Sequence, residues 1–127
     1  MPTPLNPRAG EVWDVEFSPT VGREQSERRP GLVISNDAFN DLRNTFHIVV
    51  PITGTDRGLV YHHRIATGEG GLIKDSVLLC DHVRSVSVER FYRKRGSVTE
   101  ETLAQVRRIV DLFTFDDPPY RYQSRDR

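Results

Sequence analysis

Basic side chains that could bind phosphate occur in two groups along the chain. An arginine guanidinium presents a planar fork of donors that matches two phosphate oxygens. The first group lies in the polar segment 18–29 and consists of Arg23, Arg28 and Arg29. The second group consists of Arg90, Arg93, Lys94 and Arg95. Because runs of charge are usually solvated surface, the second group is interpreted as surface, and the first as the better candidate for an anion site.

The four histidines form no pattern typical of a histidine-based nuclease or of a metal site. His62 and His63 are neighbours on a predicted strand, so their side chains point to opposite faces. His47 opens an apolar strand and is expected in the core. Since no cluster of His, Cys, Asp and Glu has metal-ligand spacing, the sequence predicts neither a zinc site nor another cofactor.

The composition is typical of one globular domain. The chain has 127 residues, with 18 basic and 18 acidic side chains and a formal net charge of zero. A chain of this length can form a single core without disulfides or metals. Zero net charge argues against binding nucleic acid through the overall field of the protein, but it allows a local basic groove.

The sequence carries no signal for secretion or for a membrane. Its apolar runs are much shorter than the roughly 20 residues that span a bilayer, and segment 1–9 has no apolar stretch typical of a leader. Cys80 is the single cysteine and lies in an apolar run, so it is expected to be buried and reduced. We therefore expect a cytoplasmic location.

Short strands followed by one helix are predicted. Alternating or continuous β-forming residues predict strands over 11–17, 31–35, 45–53, 60–66, 76–81 and 82–88, with a helical turn in 36–44. Segment 18–29 is predicted to be a long loop, and Pro30 should hold Arg29 in an extended conformation. An apolar stripe predicts a helix over 99–113, with Thr99 as its N-cap.

These elements predict a mainly β fold with helices, of the α+β class, in which a partly open barrel is covered by the C-terminal helix. We expect a flexible N-terminus over 1–9, one domain over 10–113 and a flexible polar tail over 114–127.

Three stretches of the chain resemble MazF/PemK-type toxins of type II toxin–antitoxin systems. The first reads PTVGREQ and, after three residues, RPGLVISN, over 19–25 and 29–36. The second is VPIT at the end of a strand, over 50–53. The third reads EGGLIKDSVLL and then DHVRSV, over 69–79 and 81–86. Together they span most of the chain in the order and spacing of the family.

The resemblance implies a small SH3-like barrel of the MazF/CcdB type that works as a homodimer. It implies an endoribonuclease that cleaves single-stranded mRNA, with sequence preference and without metal. The ribose 2′-hydroxyl would attack the adjacent 3′-phosphate, leaving 2′,3′-cyclic phosphate and 5′-hydroxyl ends, and translation and growth would stop. It also implies a cognate antitoxin whose flexible tail occupies the RNA groove.

By the resemblance, Arg29 and Thr53 match the catalytic residues of the family. Arg29 would stabilise the charge that develops on the phosphate, because a guanidinium rarely gives up its proton. The alternative for Thr53 is a threonine that satisfies local backbone at a strand end. Glu24 is the candidate for the proton acceptor, or else it pairs with Arg28 or Arg29 and fixes the loop.

The remaining candidate residues would bind the substrate. Arg23 and Arg28 would line the groove, and Gln25 would contact a base edge or cap a turn. Tyr61 and Phe17 could stack on unpaired bases, although Phe17 could equally be a core residue. His82 stands where the family commonly has glutamine, which could alter sequence choice or proton handling.

Two other functions fit the same fold. One is a non-enzymatic poison of DNA gyrase, which would not need Arg29 and Thr53 as a pair. The other is a barrel that binds RNA or peptide without cutting it. Cleavage of RNA that persists in EDTA and is lost with Arg29→Ala distinguishes the nuclease from both.

Overall fold

The computed structural model describes residues 5–18, 27–42 and 46–116. Its strands are β1 Glu11–Glu16, β2 Arg28–Val33, β3 Phe46–Thr53, β4 His62–Ile65, β5 Ser76–Leu79, β6 Arg84–Ser87 and β7 Phe91–Ser97. Its helices are α1 Asp37–Asn40 and α2 Glu100–Thr114, and short 3-10 turns lie at Glu69–Gly71, Cys80–His82 and Val88–Arg90.

The strands described form one antiparallel sheet in the order β4-β5-β3-β2-β1-β7, with β6 paired to β3 beside β5. The sheet curls around its core without closing, and α2 covers it. This confirms the predicted fold class, a mainly β, partly open barrel with a C-terminal helix.

Side chains alternate between two apolar clusters because successive residues of a strand point to opposite faces. On the helix side, Leu32 and Val50 are buried with Val106 of α2, and we call this group the helix-side core. On the other face, Val33 and Val49 pack with the large rings of Trp13, Phe17 and Phe91, and we call this group the aromatic core. The two cores together fix the register of β1, β2 and β3.

Helix α2 begins as the sequence predicts. The Thr99 side chain accepts a hydrogen bond from the Thr102 amide at 3.1 Å, which is the arrangement of an N-cap. The Glu69 carboxylate accepts from the Thr102 hydroxyl at 2.6 Å and from the Thr99 amide at 3.1 Å. These bonds hold the pKa of Glu69 below its usual value and join the helix to the turn at Glu69–Gly71.

The second basic group lies on a strand that the sequence pattern does not predict. β7 contains Arg93, Lys94 and Arg95, and it shows little apolar alternation because it is an edge strand beside β1 alone. Arg93 and Arg95 each lie 3.3 Å from a carboxylate oxygen of Asp14, and Lys94 lies 3.0 Å from Glu11. Acidic side chains of β1 therefore neutralise much of this charge.

Residues 5–9 contact the barrel at several points. Pro7 is buried, and its carbonyl oxygen accepts a hydrogen bond from Nε2 of His47 at 3.0 Å. Burial lowers the pKa of His47, as expected for a core histidine. Arg8 lies 2.6 Å from a carboxylate oxygen of Asp41. The division into lead-in, domain and tail stays a prediction.

Candidate active site

Arg29 lies in β2 and not in the loop that the sequence predicts. β2 already begins at Arg28, and Arg29 pairs with Val15 of β1. On the other edge of β2, Gly31 pairs with Pro51 of β3. Continuing that register by two residues brings Arg29 opposite Thr53, the last residue of β3. Pro30 keeps the chain extended at this point, as expected.

Arg29 and Thr53 share one face of the sheet, because residues two apart on a strand point to the same side. That face is the one that carries the aromatic core. Gly31 has no side chain there, and a Cβ at this position would lie 2.9 Å from the ring of Phe17 and 2.7 Å from Val49. The missing side chain lets the Phe17 ring lie across β2 beside Arg29.

A shallow cavity of about 300 Å³ opens on this face. Pro51 lies in β3 at its centre, since β3 has β2 on one edge and β5 and β6 on the other. Arg29 therefore approaches from the β2 edge and His82 from the turn between β5 and β6. The complete lining is Phe17, Glu27, Arg29, Pro51, His82, Val83 and Arg84.

Thr53 shares this face of the sheet but is not among the residues that line the cavity. Its hydroxyl oxygen accepts weakly from the Thr55 amide at 3.4 Å, the local backbone contact that the sequence allowed as an alternative. No ion pair occupies the guanidinium of Arg29 among residues 5–18, 27–42 and 46–116. A cationic fork and a hydroxyl on one face can together hold the oxygens of a phosphodiester.

The residues on both sides of segment 19–26 are hydrogen-bonded to the barrel. The Glu16 carboxylate accepts hydrogen bonds from the Ser18 hydroxyl at 2.5 Å and from the Glu27 amide at 2.9 Å. Arg84 donates to the Phe17 carbonyl at 2.9 Å, and Arg90 donates to the Ser18 carbonyl. These contacts set the entry into β2 and therefore the position of Arg29.

The carboxylate of Asp81 lies close to the ring of His82. Asp81 lies 3.7 Å from Nε2 of His82 through one oxygen, and through the other it accepts from Nε2 of His62 at 3.0 Å. The ring of His62 is almost fully buried and packs edge-on against Tyr61. The carboxylate is therefore held by the barrel while its second oxygen faces the cavity residue.

The structure places the other predicted substrate-binding residues at three different locations. Phe17 is buried in the aromatic core with one part of its ring lining the cavity. Arg28 points to the opposite face from Arg29 and stacks on the exposed ring of Tyr92 at 3.6 Å. Tyr61 packs edge-on against Phe113 of α2, with ring centroids 5.8 Å apart.

Three predicted site residues, Arg23, Glu24 and Gln25, lie outside the described residues, so their roles stay predictions. Glu27 and Arg84 line the cavity although the sequence analysis gave them no role. Arg84 lies inside the third stretch of the family resemblance, which was a usable signal, while nothing in the pattern around Glu27 distinguishes it from other loop carboxylates.

Among the described residues, no group of His, Cys, Asp and Glu is arranged to hold a metal ion. None of the helices described is long and apolar enough to cross a bilayer.

Comparison with known proteins gives consistent matches over the whole barrel. Residues 8–114 match the family model of the PemK-like, MazF-like toxin of type II toxin–antitoxin systems. Endoribonuclease MazF9 of Mycobacterium tuberculosis is 32% identical over 111 residues, which cover 83% of this chain and 93% of that protein. Endoribonuclease EndoA of Bacillus subtilis is 34% identical over 107 residues, covering 83% and 91%.

The fold matches solved toxin structures to a similar extent. MazF from Deinococcus radiodurans superposes with a TM-score of 0.69 at 27% identity, covering 86% of this chain and 96% of that one. The chain in a MazE–MazF structure from the same organism gives 0.69 at 28% identity, with the same coverage. A family match over 107 consecutive residues, together with these relatives, shows that this chain belongs to the PemK-like, MazF-like toxin family of type II toxin–antitoxin systems.

Proposed function

We propose that the chain is the toxin of a toxin–antitoxin system and acts as an endoribonuclease on single-stranded mRNA in the cytoplasm. The observation that carries the proposal is the position of Arg29 in a cavity of about 300 Å³, on the sheet face that the register of β2 and β3 also gives to Thr53. The two curated relatives named above are both endoribonucleases, which supports the proposal.

The reaction needs no external nucleophile, because the ribose 2′-oxygen is already tethered beside the phosphorus. This oxygen forms a bond to phosphorus while the bond from phosphorus to the 5′-oxygen breaks. The 2′-hydroxyl gives its proton to a base, and the 5′-oxygen receives one from solvent. The products are a 2′,3′-cyclic phosphate and a 5′-hydroxyl.

Arg29 binds the non-bridging phosphate oxygens through its guanidinium fork, where negative charge grows in the transition state. Thr53 donates its hydroxyl to the same phosphate from the neighbouring strand. Because the aromatic core locks both strands in register, the two groups need no rearrangement before the reaction.

The RNA binds as a single strand. The cavity is open and shallow, which suits a splayed nucleotide better than a duplex. Arg84 adds positive charge at the start of β6, and Phe17 lines the same cavity as Arg29. Arg23 is proposed to line the groove and Gln25 to contact a base edge, and Glu24 stays a candidate for the proton acceptor.

The proposed inhibitor of the toxin is a cognate antitoxin, as in the MazE–MazF structure. Its flexible tail would cover the RNA groove of a toxin homodimer. An acidic tail suits a groove that contains Arg29 and Arg84. Antitoxin and RNA should therefore compete, and simultaneous tight binding of both would refute this part of the proposal.

A cleavage assay tests the activity. A long RNA is incubated with the purified chain in excess EDTA, and the fragment ends are mapped and analysed for cyclic phosphate. We expect cleavage at defined sites that is lost with Arg29→Ala. Arg93→Ala is the matched control, because this arginine is exposed on β7 and pairs only with Asp14 among the described residues.

Retention of cleavage by Arg29→Ala would refute the assigned site. Gyrase inhibition by a chain that leaves RNA intact would favour the gyrase poison, and RNA binding without cleavage would favour the inactive barrel.

A further inference from the structure

Two described side chains that line the cavity carry a group that could act as a base, Glu27 and His82. Glu27 is exposed where the chain enters β2, and its amide is bonded to the Glu16 carboxylate. His82 belongs to the 3-10 turn Cys80–His82, which is anchored by the buried Cys80 in the helix-side core. The backbone that carries the imidazole is therefore anchored in the core.

A carboxylate lies next to the ring of His82. Nε2 is 3.7 Å from Asp81, which is an electrostatic contact and not a hydrogen bond, and Nδ1 is the nitrogen without this contact. Asp81 itself is held by the hydrogen bond with His62, whose ring is almost fully buried. The carboxylate is therefore placed to attract a positively charged imidazole at position 82.

The position of His82 relative to Arg29 is also suitable for proton transfer. Arg29 approaches the centre of the cavity from one edge of β3 and His82 from the other. A phosphate held by Arg29 and Thr53 would therefore present its ribose to the opposite wall. That wall carries the imidazole.

We propose that His82 is a catalytic residue that takes the proton of the 2′-hydroxyl during RNA cleavage, with Asp81 as its positioning residue. The inference rests on the proposed endoribonuclease function. The proton passes from the 2′-oxygen to the ring nitrogen as the bond to phosphorus forms. The imidazolium then returns it to water after the 5′-oxygen has left with a proton from solvent.

The charged groups that face His82 carry both signs. Asp81 on the same turn and Glu27 beside β2 are acidic, and Arg29 on β2 and Arg84 on β6 are basic. On the β4 side the neighbour is His62, already bonded to Asp81. Helix α2 packs on this turn through the helix-side core, which is apolar there.

The test is the pH dependence of kcat for a defined RNA between about pH 5 and 8, the range in which an imidazole titrates. We expect the wild type to lose activity toward acidic pH. His82→Gln should lower kcat about 100-fold or more and abolish this acid limb. His63→Gln is the matched control, since His63 lies on β4 and outside the cavity lining.

Two further variants separate a chemical role from a structural one. Added imidazole should restore a substantial part of the activity of His82→Ala, and the rescue should grow as the added imidazole becomes neutral. Asp81→Asn should lower kcat and leave KM for RNA unchanged, because Asp81 acts through the ring of His82 and not on the substrate. RNA binding and melting temperature are measured for each variant to show that it is folded.

The other outcomes overturn the inference. An unchanged pH profile in His82→Gln would show that another group takes the proton, and a change of cleavage sites in the same variant would show that His82 contacts a base instead. Loss of the acid limb in Glu27→Gln and its retention in His82→Gln would assign the role to Glu27. In both cases the wild type still cleaves RNA, whereas a wild type without any cleavage would refute the proposed function itself.

Discussion

The turn at Glu69–Gly71 touches β7 backbone to backbone, and this contact predicts a large difference between two glycine substitutions. Gly71 has φ +72°, and a Cβ added there would lie 2.0 Å from the carbonyl oxygen of Arg95. Gly58 has nearly the same φ, +71°, and a Cβ there would meet nothing within 4 Å. Gly58→Ala is therefore a matched control for Gly71→Ala.

The magnitude has two parts. A non-glycine residue with positive φ costs about 1–2 kcal/mol, and both variants carry this cost. The gain from a less flexible unfolded chain is also common to both, so it cancels in the comparison. Only Gly71→Ala must in addition push the turn away from the Arg95 carbonyl, and overpacking of this kind costs about 1–3 kcal/mol.

β7 cannot easily move away from a Cβ at position 71, because its other edge is paired with β1. Arg95 is the extra residue of a β-bulge, since Val12 pairs with Gly96 and Trp13 with Lys94. A Cβ on Gly96 would itself lie 2.8 Å from the backbone of Gly71. β7 cannot move away from the turn without losing its pairing to β1.

Urea unfolding followed by Trp13 fluorescence measures the effect. If the slope is about 2 kcal/mol/M, an extra loss of about 2 kcal/mol lowers the midpoint of Gly71→Ala by about 1 M relative to Gly58→Ala. Far-UV circular dichroism gives a second probe of the same transition. Equal midpoints for the two alanine variants would refute the close approach as the reason for glycine at position 71.

Three further results are expected. Burial raises the pKa of the Cys80 thiol to about 12, so iodoacetamide at pH 8 should label the chain only after unfolding, and rapid labelling of the native protein would contradict this. The pKa of Glu69 is lowered in the folded state, chiefly by the hydrogen bond from Thr102. The extra stability of the wild type over Glu69→Gln should therefore be complete above about pH 5 and decrease as the pH falls through the folded pKa. A stability difference that is constant with pH would disprove the linkage. Thr53→Ser should keep most of the RNA cleavage and Thr53→Val should lose it about 10- to 100-fold, and equal activity of the two variants would remove the hydroxyl from the reaction.

Elements with a clear pattern were predictable from the sequence. The stripe and cap of α2 and the apolar strands β2 and β3 were placed within a few residues of their observed bounds. The family resemblance supplied the fold, which the comparisons confirm. The pairing of Arg29 with Thr53 as candidates came from the same resemblance and not from any pattern in the residues.

Other features depend on contacts between distant segments, which periodicity does not encode. β7 was missed because its residues alternate poorly, and its stability comes from pairing with β1 and from carboxylates such as Asp14. The sequence places Arg29 in a loop because segment 18–29 is polar and charged and shows no apolar periodicity. The placement of His82 opposite Arg29 follows from the order of β2, β3 and β5 in the sheet, which only tertiary structure decides.

Because the residues on both sides of segment 19–26 are anchored, the barrel does not depend on the sequence of that segment. Glu16, Arg84 and Arg90 bind the backbone at its two stems, so the strand that follows keeps its register whatever lies between them. Doubling the length of such an insert adds only about 0.6 kcal/mol of closure entropy. Toxins on this scaffold can thus diversify the sequence of that insert under selection, while the arginine downstream of it stays aligned with its partner strand.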